Sequence, residues 1–139
     1  MKRNITGILL LFFITSCATY TEFPVSHVAP AATIKVKEKK DKNENTLVSV
    51  TANNLASAER LDPSKEVYVV WMSTQNNGIK NLGQLMHKNA KKSTLEAITA
   101  FEPVEIFITA EDQGNITRPS DFEISRVALV DAQESSLNQ

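Results

Sequence analysis

Over residues 32–131 the apolar positions recur with a period of two, in short runs broken by turn-forming residues. Such alternation puts successive side chains on opposite faces of an extended strand. Residues 33–37 set Ile34 and Val36 against Thr33, Lys35 and Lys37, which predicts a half-buried strand. Residues 41–45 form a polar turn, and 46–52 the returning strand. Residues 53–55 leave the sheet, and 56–61 read as a turn of helix that Pro63 stops. The chain is organised around residues 66–74, a run of β-branched and aromatic residues holding the only tryptophan. Turn signals bound it on both sides, Asp62-Pro63-Ser64 before and Asn76-Asn77-Gly78 after. Tyr68, Val70 and Met72 make one apolar face and Val67, Val69 and Trp71 the other, predicting a central strand covered on both sides.

Asn77-Gly78 predicts a tight hairpin, because both residues tolerate positive φ. Its partner strand is expected over 79–86, with Gly83 as a bulge or kink. Residues 87–93 read as a polar loop and 95–101 as a further strand. In 104–111, Val104, Ile106, Ile108 and Ala110 alternate with Glu105, Phe107, Thr109 and Glu111. A turn at 112–115 leads to a last strand over 122–130, where Ser125-Arg126 breaks the alternation and suggests a bulge or an edge. About seven short strands with almost no helical period predict an all-β domain of roughly 100 residues, a β-sandwich in preference to a barrel. A polar tail over 132–139 is expected to fray.

The first 31 residues break this pattern. Lys2 and Arg3 precede an apolar run, 8–14, that is far shorter than the ~20 residues a spanning helix needs. It ends in Ile14-Thr15-Ser16-Cys17. This tetrapeptide resembles the lipobox of bacterial lipoproteins, with Ile14 and Ser16 as variants of the family's usual Leu and Gly or Ala. The resemblance implies that 1–16 is a lipoprotein signal peptide and that Cys17 carries diacylglycerol and an amide-linked acyl chain such as palmitate. It implies a domain anchored in the bacterial cell envelope, and Ala18 after the cysteine fits the outer-membrane rather than the inner-membrane class. Residues 17–31, without period and interrupted by Pro24 and Pro30, read as a lipid-anchored tether spanning up to roughly 50 Å.

Three further blocks occur in one order and spacing: residues 66–72, Asn81-Leu82-Gly83-Gln84-Leu85, and 106–111 followed by Pro119-Ser120. Over about residues 32–130 they resemble the extracytoplasmic domain of anti-sigma-K factors. The resemblance implies an immunoglobulin-like β-sandwich on the outer side of a membrane. The family's anti-sigma activity is not expected to carry over, since it uses a transmembrane helix and a cytoplasmic sigma-binding segment that this sequence does not show. A shared fold does not bring a shared function.

Charge narrows the partners. Without 1–16 the chain keeps 13 of its 15 bases against 16 acids, a net charge of −3 that disfavours nucleic acid, whose phosphates need a basic surface. Cys17 is the only cysteine, so no disulfide forms within the chain and the core must suffice. Candidate chemistry is thin: no cofactor motif, no Gly-rich phosphate loop, and two histidines, His27 in the tether and His87 in a loop. Glu102, Glu105, Glu111, Asp112 and Asp121 could pair or bind calcium near the 111–121 loop, but acids flanking β-turns are usually solvated.

Two function classes follow. One is a lipid-anchored, non-catalytic interaction module with an envelope protein partner and no catalytic, cofactor-binding or metal residues. The alternative is an envelope enzyme or small-ligand or calcium binder using the acidic loop 111–121 and His87. For the first class, the candidate surface is Trp71, Phe107 and Val69, if the 104–111 strand lies beside the central one. There the two rings form either a cross-strand pair capped by a loop or an uncovered aromatic patch.

Overall fold

A computed structural model describes residues 19–76 and 78–129. The expected signal peptide over 1–16, Cys17 and the expected 132–139 tail lie outside the described residues. Among the described residues nine strands form two antiparallel sheets: β1 (Thr19–Glu22), β2 (Thr33–Lys40), β3 (Thr46–Asn53), β4 (Val67–Ser73), β5 (Ile79–Gln84), β6 (Met86–Asn89), β7 (Lys92–Thr99), β8 (Glu105–Glu111) and β9 (Glu123–Ala128). One sheet runs β1-β2-β3-β7-β6 and the other β5-β4-β8-β9. This is the immunoglobulin strand order, β2, β3, β7 and β6 facing β5, β4, β8 and β9, with β1 added at the edge. Among the described residues the only helical element is a 3-10 turn, Ala58–Arg60, in the segment expected to hold a turn of helix. Among the described residues no helix is long and apolar enough to cross a membrane.

The core is built by the predicted alternation. Ile34 and Val36 of β2 and Val48, Val50 and Ala52 of β3 meet Tyr68, Val70 and Met72 of β4 and Ile106, Ile108 and Ala110 of β8. Every one of these is at most 5% exposed, as two inner sheet faces interdigitating across a sandwich require. The Tyr68 hydroxyl lies at the margin of this core, donating to the Ala56 carbonyl oxygen at 2.7 Å.

Three segments differ from expectation. The predicted tether belongs to the sandwich from Thr19 onward. β1 pairs with β2 from Thr19↔Glu38 to Glu22↔Lys35, the Phe23 N–H donates to the Ile34 oxygen, and Phe23 and Ala29 are buried in the core. The Ser26 hydroxyl accepts the N–H groups of Val28 and Ala29, and the Ser125 hydroxyl donates to the Pro24 oxygen. The prolines break periodicity without freeing the chain, because side-chain and cross-strand bonds replace the regular ladder.

The expected single partner strand over 79–86 is two. β5 follows β4 only to Gln84, the Leu85 side chain turns into the core, and β6 continues in the other sheet. Gly83 makes the exit: its φ is +127°, its N–H donates to Asn81 Oδ1, and the register slips between Val70 and Trp71. The predicted polar loop 87–93 is therefore mostly strand, and β7 starts at Lys92.

Two predictions follow from these contacts. Gly83→Ala strains a backbone that L-residues rarely adopt and brings a Cβ within 3.1 Å of Leu95 Cδ1. We predict a loss of ~1–3 kcal/mol in denaturant unfolding. Burial pushes the Tyr68 hydroxyl up to about 12, from 10.0. Its neutral form therefore contributes stability that is complete below about pH 10 and is lost as pH rises towards 12. Tyr68→Phe should flatten that alkaline loss in a pH series of midpoints, while costing ~0.5–1.5 kcal/mol at neutral pH for the Ala56 bond.

Candidate functional site

The outer face of the four-stranded sheet holds the aromatic pair that the sequence singled out. β4 and β8 pair in register with Trp71 opposite Phe107, and Val69 and Phe107 flank the indole. The rings stack at 6.3 Å between centroids with 13° between planes. Trp71 and Val69 are 0% exposed and Phe107 1%. The candidate interaction surface is thus a second small core, and none of these three residues can meet a partner directly.

Its roof comes from the chain between β8 and β9. Ile116 packs on the cluster, and Asn81 of β5 donates both amide protons to that segment, to the Gly114 and Ile116 oxygens at 2.9 and 2.8 Å. Trp71 Nε1–H donates to Thr109 Oγ1 at 2.8 Å, and the Thr109 hydroxyl donates to Glu111 Oε1 at 2.7 Å. The same carboxylate oxygen accepts the Ser120 N–H at 2.7 Å. Glu111 is 5% exposed, so this chain satisfies a buried carboxylate that would otherwise be costly. The other side of the roof is Arg126, whose guanidinium carbon lies 4.0 Å from the Phe107 centroid. Arg126 pairs with Glu105 and Glu123; partial burial opposes its charge, but the two carboxylates outweigh that and raise its pKa.

These partners explain what sequence reasoning missed. Thr109, Asn81 and Arg126 are unremarkable polar residues whose roles arise only when β5, β8 and β9 flank β4. The break in alternation at Ser125-Arg126 was their one local trace: the β8–β9 register shifts between Ile108 and Thr109, opposite Ser125 and Glu123.

The residues of the alternative constellation are not brought together. His87 lies exposed on β6, in the five-stranded sheet, with Nδ1 3.0 Å from the buried Ser93 hydroxyl. It borders an open cleft of about 420 Å³ with Ser57, Arg60 and Asn89. The 111–121 loop belongs to the other sheet, where Glu111 is held as described and Asp112 pairs with Lys65 at 3.2 Å. Asp121 is exposed, and Glu102 pairs with Lys40. Among the described residues no three His, Cys, Asp or Glu side chains stand close enough to share a metal ion. His27 is exposed on the surface between β1 and β2.

The arrangement fastens a loop onto a sheet, so its measurable consequence is stability. Trp71→Ala should cost ~3–5 kcal/mol in equilibrium unfolding, the range for emptying a buried aromatic site; a loss within ~0.5 kcal/mol would return Trp71 to the surface.

No protein-family model, curated protein or solved structure gives a significant match to the chain.

Proposed function

We propose that this protein is a lipid-anchored, non-catalytic interaction module of the bacterial cell envelope, held in the outer membrane by acyl chains on Cys17. The observation that carries it is Ile14-Thr15-Ser16-Cys17 directly after a basic start and a short apolar run. Each buried acyl CH₂ contributes ~0.8 kcal/mol, so one chain binds marginally while two or three hold the protein effectively permanently. The likeness to the anti-sigma-K domain extends, in this proposal, to fold and to an extracytoplasmic place, and not to sigma binding.

The non-catalytic part is supported by how the titratable groups are used. Glu111 is occupied by Thr109 and Ser120, and Arg126 by Glu105 and Glu123. The envelope partner would meet surfaces other than the covered Trp71–Phe107 face.

Labelled palmitate supplied to growing cells should be incorporated into the wild-type protein and not into Cys17→Ser. The labelled protein should sediment with outer-membrane vesicles on a density gradient. A wild-type chain that takes up no label removes the anchor from this proposal.

A further inference from the structure

β1 begins at Thr19, two residues after Cys17. Two extended residues span at most about 7 Å. A diacylglycerol on Cys17 would therefore hold the start of β1 at the level of the lipid headgroups. Pairing of Thr19 with Glu38, and of Lys40 with Thr46 and Thr46 with Thr99, puts that point at one end of the sandwich. The 41–45 turn, the 100–104 connection and the start of β5 lie at the same end.

The side chains there suit a lipid–water boundary. On the outer face of the five-stranded sheet, Lys39, Leu47 and Ile98 stand in one cross-strand row, with Tyr20 and Lys37 in the adjacent one. Four of the large hydrophobic residues exposed among those described are at this end: Ile98 at 69%, Tyr20 at 66%, Phe101 at 51% and Ile79 at 47%. Each exposed ring carries an ammonium group over it, Lys37 Nζ at 5.3 Å from the Tyr20 centroid and Lys80 Nζ at 4.4 Å from that of Phe101. Aromatic rings and lysines with apolar stems and charged heads are the side chains that settle among headgroups. Acids share this end: Glu102 is neutralised by Lys40, Asp41 and Glu44 sit in the turn beside Lys42, and Glu96 lies on the sheet face opposite Ser49.

We propose that this end of the sandwich lies on the lipid surface in which Cys17 is anchored, with Tyr20, Ile98 and Phe101 among the headgroups and Lys37 and Lys39 towards anionic lipid phosphates. This rests on the acylation of Cys17 and goes beyond it, because a long tether would leave the domain free to turn whereas two residues do not. Lysines held within a Debye length of the surface, ~8–10 Å, still feel its negative potential. The opposite end, with His87 and the start of β7, then points into the envelope.

β7 offers an internal ruler, since Ile98 and Lys92 are both exposed and six residues, or ~20 Å, apart along one strand. Ile98→Cys and Lys92→Cys full-length proteins, purified from membranes, would each take an environment-sensitive fluorophore on the new thiol, Cys17 being blocked by its thioether. In vesicles of phosphatidylethanolamine and phosphatidylglycerol, nitroxide on the headgroups should quench the label at 98 several-fold more than that at 92. Lys37→Gln/Lys39→Gln should narrow the difference. With intact mass showing the diacylglycerol, equal quenching at the two positions, or stronger quenching at 92, overturns the docking alone. An intact mass lacking the lipid overturns the anchor and the docking with it.

Discussion

The fold depends on the pairing of β4 with β8, seven residues in register from Val67↔Glu111 to Ser73↔Glu105. Both faces of this pair are buried: Val70, Met72, Ile106 and Ile108 between the sheets, Trp71 and Phe107 under the roof outside. A single cysteine leaves no intrachain disulfide, so no covalent link shares the task of joining the sheets. Burial at ~25 cal/mol per Å² has to supply it, and a strand pair buried on both sides recruits apolar area twice from the same backbone. In antibody-type sandwiches the tryptophan of the equivalent strand packs between the sheets against a disulfide. Here that interior is filled mostly by aliphatic side chains, with Phe23 and Tyr68 among them, and the tryptophan faces outward.

Moving the indole outside creates a polar problem that the chain solves in sequence. The buried N–H needs an acceptor, Thr109 provides it, and its own proton goes to Glu111. The carboxylate then takes the Ser120 N–H and so anchors the far end of the roof. Asn81 holds the near end by two carbonyl oxygens. Every member is satisfied, and no buried side-chain nitrogen or oxygen among the described residues lacks a partner. A complete network of this kind rigidifies a face, whereas a partly satisfied one would weaken it. The same network occupies the Glu111 carboxylate from inside the fold.

The N-terminal segment is the largest departure from the pattern read in the sequence. As a tether it would have been independent of the sandwich; as β1 and the buried Phe23–Ala29 stretch it is part of it. β1 starts two residues after Cys17, so the proposed acylation, if it occurs, would act directly on the edge of the sandwich.

Local pattern determined a large part of this protein. Alternation in β2, β3, β4 and β8, the turn at 41–45 and the special position of Gly83 were all legible, because each depends on neighbours within a few residues. The inward face was legible in β2 and β8, where one face is the more apolar, while β4, apolar on both sides, took its inward set from pairing with β8. What only the tertiary structure decided depends on strands far apart in the chain. β1 has four residues and no period, and it becomes a strand because β2 offers an open edge. β6 separates from β5 because Leu85 is drawn into the core where the chain changes sheets. Whether Trp71 was covered turned on where the 112–121 segment falls, and that is set by Asn81, 33 residues from Gly114. Non-local pairings of this kind leave no periodic mark in the sequence, because the groups that make them become neighbours only after the sheets have packed.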